Sequence, residues 1–213
     1  MAHRKKRPCA VICPGGAYKY CSDREAEPIA EAYFAKGFQV FILYYSTTGR
    51  ELERPATGLR PLGELSESVV HIRENSALYG VDPEKIAVIG FSAGSHLAGS
   101  LGVHWNSEKL REFYPSEPGK NRPNAMVLSY PVISARPEAH PEWHDSFSAL
   151  LGPDRTPEEE AFFSLGEQVN EETVPAFCWH TMDDDCVCVA NTMRFVKSLY
   201  EHGIPAECHL FEH

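Results

Sequence analysis

Six short apolar runs recur along the chain, with segments of helical spacing between them. The runs are CAVIC at 9–13, FQVFILYY at 38–45, KIAVIGF at 85–91, AMVLSYP at 125–131, AFCWH at 176–180 and AECHLF at 206–211. Most are near-continuous rather than alternating, the pattern of strands buried on both faces of a parallel sheet. Between them, Ile29, Ala32 and Tyr33 share a helical face after Pro28, and Gly37 ends that segment. Leu65, Val69 and Ile72 share a second face, followed by Gly80. Val189, Met193, Val196 and Tyr200 make a third, closed by Gly203. This order predicts an α/β fold: a doubly wound, mostly parallel sheet with right-handed crossovers and helices on both faces. Ligands bind such sheets beyond the carboxyl ends of the strands. The stretches 102–124 and 133–155 lack clear periodicity and read as long excursions on that side.

With 213 residues, 43% of them hydrophobic, the chain suffices for one domain with its own core, and residues 1–213 are read as that domain. The formal net charge of −10 argues against nucleic acid or an anionic membrane as partner, because a phosphate surface would repel it. No apolar stretch is long enough to span a bilayer, and no apolar leader follows the basic HRKKRP patch. The seven cysteines are an odd number, so reduced thiols in a cytoplasmic compartment are expected. Cys186 and Cys188 lie near His180. Their C-x-C spacing is not that of a zinc knuckle and no second pair exists, so no metal is expected.

Three local patterns carry chemistry. GFSAG at 90–94 follows an apolar strand run directly and opens a helical segment. Glycines at 90 and 94 permit a tight strand-to-helix turn that lifts the Ser92 hydroxyl above the sheet, where helix N-terminal amides favour negative charge. The Ala93 N–H would point at an oxyanion there. CPGGAY at 13–18 ends the first strand, and Gly16 and Ala17 would supply further amide donors. WHTMDDDCV at 179–187 follows another strand, and Asp183, Asp184 and Asp185 each offer an orienting carboxylate; two of the three are expected to be solvated or capping.

Taken with YPVIS, HDSFSALLG, HTMDDDCVCVANTMRF and GIPAECHLFEH, these patterns resemble the α/β-hydrolase superfamily, specifically its small acetyl-xylan-esterase-like carboxylesterases. The likeness covers almost the whole chain. It implies a serine esterase forming an acyl-enzyme, no cofactor, and a small-molecule ester substrate with a short acyl group, acetyl esters of sugars included. Within it, Ser92 is the nucleophile, Gly16, Ala17 and Ala93 form the oxyanion hole, and Asp184 is the acid, the fifth position of H-x-x-x-D-x-x-V read from His180. Three positions depart from the usual pattern: Ala17 and Ser95 stand where glycine is common, and Cys188 where proline is.

The resemblance places the base in F-E-x-G-x-H-G after the last strand. This chain reads HLFEH through His213, which puts the catalytic histidine beyond residue 213; the opening strands and final helix of the fold are likewise expected to be lacking. Of the histidines present, His96 is expected to be structural and His180 to orient the acid loop. His140 and His144 are expected near the cleft, and His213 is a candidate to approach Asp184. Two rivals follow: a truncated or non-catalytic binding protein of the same fold, and a small serine peptidase of related fold. Apolar sheet surface left by absent terminal elements would favour pairing with another chain, so a homo-oligomer stays open.

Overall fold

A computed structural model describes residues 6–135 and 146–213. The elements in chain order are β1 (Arg7–Cys13), α1 (Glu27–Ala35), β2 (Gln39–Ile42), α2 (Arg60–Glu74), α3 (Ser76–Tyr79), β3 (Val81–Phe91) and α4 (Ala93–His104). They continue as α5 (Glu108–Phe113), β4 (Ala125–Ser129), α6 (Ser146–Leu151), α7 (Pro157–Phe163), β5 (Ala176–Thr181), α8 (Ala190–Glu201) and β6 (Ala206–Phe211). The strands form one six-stranded sheet in the order β2-β1-β3-β4-β5-β6. Every neighbouring pair is parallel. The sheet grows outward from β1 in two directions, the doubly wound arrangement expected for an α/β hydrolase.

Alternate residues of each strand enter different cores. Cys9, Val11 and Cys13 of β1, Ile86 and Val88 of β3, and Met126 and Leu128 of β4 face the larger one, where Leu62, Leu65 and Val69 of α2 and Leu97 and Leu101 of α4 pack on them. Ala10 and Ile12 of β1 with Ile89 and Phe91 of β3 face the other side, against Ile29, Ala30 and Tyr33 of α1. On that second side an aromatic row runs across the later strands. Trp179 meets Tyr130 edge-on at 5.1 Å and Phe211 at 6.4 Å, and His209 lies nearly parallel to Phe211.

Two helical faces turn differently from the expected ones. In α1 Ala30, not Ala32, joins Ile29 and Tyr33, and Ala32 is exposed. In α8 the buried set is Asn191, Thr192, Phe195, Ser198 and Leu199, whereas Met193 is 41% and Tyr200 83% exposed. Polar anchors rotate this helix: Thr192 bonds the His180 ring and the Asn191 carboxamide accepts from the Ile133 and Ser134 amides. The excursion at 102–124 holds the end of α4 and all of α5. Its later part is fastened by Arg73, which donates to the carbonyls of Lys120 and Arg122. Among the described residues, no helix is long and apolar enough to cross a membrane.

The junction between β3 and α4 is the tightest in the fold. A Cβ on Gly90 would stand 2.2 Å from the Gly94 carbonyl oxygen, and one on Gly94 would stand 2.0 Å from that of Cys13. The start of α4 therefore lies directly against backbone at the ends of β1 and β3, and both clashes are with backbone that cannot turn away. By contrast, a Cβ on Gly99 meets a Leu165 methyl at 3.0 Å, a side-chain tip that can move. Gly90→Ala and Gly94→Ala are each expected to cost about 1–3 kcal/mol of unfolding free energy. Gly99→Ala should stay within about 1 kcal/mol because alanine favours the helix. Urea unfolding midpoints of the three variants check this.

Candidate active site

Ser92 sits between β3 and α4 with φ 53° and ψ −120°. This is a conformation that residues with a side chain rarely adopt, and it costs on the order of 1–3 kcal/mol. The surroundings hold it there. The Ser92 N–H donates to the Ser129 carbonyl at the end of β4 (3.0 Å), and the Ser92 carbonyl accepts from the amides of Ser95 (3.0 Å) and His96 (3.2 Å). Ser95 adds a second tie: its hydroxyl donates to the Ser129 carbonyl and accepts from the Ser129 N–H, both at 2.9 Å. A serine at this departure from the usual glycine thus closes two buried backbone groups. The Ser92 hydroxyl makes no hydrogen bond with the described residues. It opens into a cleft of about 480 Å³ lined also by Gly16, Ala17, Glu25, Tyr130, Trp179 and Asp184.

The loop after β1 forms the facing wall. A Cβ on Gly15 would stand 3.1 Å from Ser92 Cβ, so the two segments touch. Gly16 has φ +125°, and a Cβ there would overlap the Tyr20 carbonyl oxygen at 2.1 Å. Ala17 and Tyr18 follow in the left-handed region at φ 53° and 58°. That region is open to alanine at a modest cost, so Ala17 keeps the turn that a glycine would make more freely. The Gly16 carbonyl accepts from the amides of Lys19 and Tyr20, which coils the loop into a tight turn. Among the described residues, the N–H groups of Gly16, Ala17 and Ala93 have no acceptor. Orphan backbone donors are uncommon in folded proteins, and two of these, on Gly16 and Ala17, belong to residues that line the cleft with Ser92, while the third adjoins Ser92 in the chain.

A buried brace joins this loop to α4. The His96 Nε2 faces the Phe163 carbonyl at 2.9 Å, and a carbonyl can only accept, so Nε2 carries the proton. Nδ1 is then the acceptor, and the Tyr18 hydroxyl donates to it at 2.7 Å. Burial holds the Tyr18 phenol well above its ordinary pKa, so it stays a donor. The Tyr45 hydroxyl donates to the Pro14 carbonyl at 2.6 Å and steadies the other end of the loop. His96 therefore has the structural place expected of it, one turn along α4 and away from the cleft.

The acid loop follows β5. Asp184 lines the cleft, while Asp183 and Asp185 are exposed. Asp184 Oδ1 accepts from the amides of Cys186 (2.9 Å) and Val187 (2.8 Å), and its Oδ2 lies 3.4 Å from His180 Nε2. His180 is fully buried. Its Nε2–H donates to the Val187 carbonyl at 2.8 Å, which leaves Nδ1 to accept from Thr192 at 2.7 Å. It thus ties both ends of the loop, as expected. Burial pushes its pKa below the ordinary histidine value, only partly opposed by the Val187 bond and the Asp184 charge. Cys186 also lines the cleft; burial and the neighbouring Asp184 push its thiol upward, away from a reactive thiolate.

His213, a candidate to approach Asp184, does not reach it. It pairs with Asp183 at 3.0 Å, not with Asp184. The cause is register: Thr181 lies opposite Phe211, and Met182 N–H donates to the Phe211 carbonyl at 2.7 Å, which brings the chain up beside Asp183. Among the described residues lining the cleft there is no histidine. His140 and His144 lie outside the described residues. Glu25 and Tyr130 are among the lining residues for which the sequence implies no role. Glu25 accepts from the Gly15 N–H at 2.7 Å and from the Tyr130 hydroxyl at 2.9 Å. Among the described residues no cluster of three His, Cys, Asp or Glu side chains could hold a metal ion.

A profile of the family described as BD-FAE matches residues 1–199. The chain is 39% identical over 207 residues to endo-1,4-beta-xylanase B of Butyrivibrio fibrisolvens, an alignment covering 97% of this chain and 32% of that protein. It is 26% identical over 208 residues to an acetylxylan esterase of Xylanibacter ruminicola, covering 94% of this chain and 38% of that one. The chain therefore spans about a third of the length of these two relatives. Among solved structures it superposes on an acetyl ester-xyloside bifunctional hydrolase from Caldicellulosiruptor lactoaceticus with a TM-score of 0.85 at 33% identity, covering 100% of this chain and 75% of that one.

His180 has a counterpart in His104 at the end of α4, whose ring stacks on Phe162 at 4.0 Å. Burial brings its pKa down to about 4. Both rings are neutral in the fold and bind protons more readily when unfolded, so both contribute stability above the ordinary value near 6.5 that is lost as pH falls. For His104 the loss between pH 6.5 and 4 should be on the order of 3 kcal/mol, at about 1.4 kcal/mol for each pKa unit. Urea unfolding across that range should show the decline, and His104→Phe should flatten its slope.

Proposed function

The chain belongs to the BD-FAE family of the α/β-hydrolase superfamily, and we propose that it is a serine carboxylic-ester hydrolase acting on short acyl esters, acetyl esters of sugars foremost. The observation that carries this reading is an unbonded serine hydroxyl in one cleft with Gly16, Ala17 and a braced carboxylate, the amides of Gly16, Ala17 and the adjoining Ala93 having no acceptor among the described residues. In this reading Ser92 Oγ attacks the ester carbonyl and gives its proton to an imidazole. The carbonyl oxygen becomes an oxyanion held by the N–H groups of Gly16, Ala17 and Ala93. Collapse breaks the bond to the alcohol, which leaves with the imidazole's proton, and an acyl-serine remains. Water repeats the sequence, releasing the acid and restoring Ser92. Asp184 holds the imidazole in its working tautomer and stabilises its protonated form. Sugar esters are supported by the relatives named for xylan and xyloside chemistry, and by the half-buried Trp179 and Tyr130 beside the polar Arg24 and Glu25.

A second reading rests on one observation: no described histidine lines the cleft. A chain with the pocket but no base would bind esters without cleaving them.

A chromogenic acetyl ester tests the first reading. With its imidazole in place, wild type should hydrolyse it, and Ser92→Ala should lose about 10⁶-fold in kcat, with Asp184→Asn losing on the order of 10⁴-fold. Equal rates for wild type and Ser92→Ala would overturn the serine mechanism. Failure of a fluorophosphonate to label Ser92 in folded protein would favour the binding reading.

A further inference from the structure

Gly15 is the pivot of the amide-donor loop, and both of its polar groups are taken by one short segment. Its N–H donates to Glu25 Oε2 at 2.7 Å, and its carbonyl accepts from the Ser22 N–H at 2.9 Å. The next two N–H groups, of Gly16 and Ala17, are those without an acceptor among the described residues. The other oxygen of Glu25 reaches across the cleft to the Tyr130 hydroxyl at 2.9 Å. Tyr130 follows β4 with φ 39°, donates its own N–H to the Trp179 carbonyl at 2.8 Å and packs edge-on against the Trp179 ring. One half-buried carboxylate thus spans from the loop after β1 to the ends of β4 and β5.

From this we infer that Glu25 is a positioning residue, a clamp that aims the Gly16 and Ala17 amides at the space above Ser92. The inference rests on the serine-hydrolase reading for its kinetic consequence, and on geometry alone for the clamp. A fixed negative charge near a developing oxyanion opposes the reaction. The value of Glu25 therefore lies in its two hydrogen bonds, not in its charge. A glutamine keeps both: its carbonyl oxygen accepts from Gly15 while its amide donates to the Tyr130 oxygen. The burial and charge that hold the Tyr130 phenol protonated do not prevent its oxygen from accepting. An alanine keeps neither. Without the clamp the Gly15 segment is held only by the Tyr45 bond to the Pro14 carbonyl and the Ser22 bond to the Gly15 carbonyl, and the two following N–H groups lose part of their aim.

The experiment compares Glu25→Ala, Glu25→Gln, Tyr130→Phe and Ser92→Ala with wild type, by ester turnover and by amide hydrogen exchange of Gly15. Glu25→Ala should lower kcat about 10- to 100-fold with KM within about 3-fold, because misaimed donors act in the transition state and hardly in substrate binding. Its Gly15 exchange should quicken about 10-fold or more, since the amide has lost its acceptor. Glu25→Gln should restore most of the rate and the protection. Tyr130→Phe breaks one of the two ties, so Gly15 should stay protected and kcat should fall by less. Unchanged Gly15 exchange in Glu25→Ala overturns the clamp, as does a Glu25→Gln variant as impaired as Glu25→Ala, which would make the charge itself the active feature. The two readings fail separately. Full turnover in Ser92→Ala defeats the serine mechanism while the exchange result still judges the clamp. An inactive Ser92→Ala beside a fully active Glu25→Ala defeats the clamp alone.

Discussion

The reversal of chain direction at Ser92 depends on backbone packed against backbone. α4 starts so close to the ends of β1 and β3 that neither Gly90 nor Gly94 has room for a methyl group. That contact turns the serine into its rare backbone conformation, brings the Gly15 segment against it, and leaves the first amide of α4 without a partner among the described residues. Each feature of the cleft follows from that approach. Were α4 to sit an ångström farther out, Ser92 could relax, and the facing loop would no longer touch it. The strain is maintained by hydrogen bonds around the residue, which is how strained functional backbone persists in a folded protein.

Polar groups near the cleft are divided between those fully satisfied and those left open. His96, His180, Tyr18 and Ser95 are buried, and each bonds to a group outside its own element. They fix the positions of the loops. The Ser92 hydroxyl and the amides of Gly16 and Ala17 have no partner among the described residues, and all three residues line the cleft. The lowered pKa of His180 belongs to the same scheme: a neutral ring with one donor and one acceptor makes two directed bonds, whereas a protonated ring would have two donors and lose one of them.

Much of this was legible in the chain itself, for identifiable reasons. The parallel sheet was readable because apolar runs buried on two faces have no polar alternation, and the elbow because glycine, serine and glycine carry a specific steric message. Asp184 was separable from its two neighbours only through the family pattern, yet the structure supplies a physical difference: its Oδ1 caps two amides of its own loop. The face of α8 was misread because hydropathy ranks Met193 and Tyr200 above Asn191 and Thr192, while the fold uses the latter two as anchors. Glu25 was invisible for another reason. Its partners stand 10 and 105 positions away, and an acidic residue in a polar turn looks like any solvated side chain until the strands are placed. Long-range polar pairing leaves no periodic trace in a sequence.

The Ser129 carbonyl carries a consequence for where the chain can change in length. It accepts from both the Ser92 N–H and the Ser95 hydroxyl, and Ser129 is level with Phe91 in the sheet. Removing one residue from β4 would present the wrong side of the strand and unhook both donors at once. Insertions and deletions are therefore tolerated poorly upstream of Ser129 in that strand.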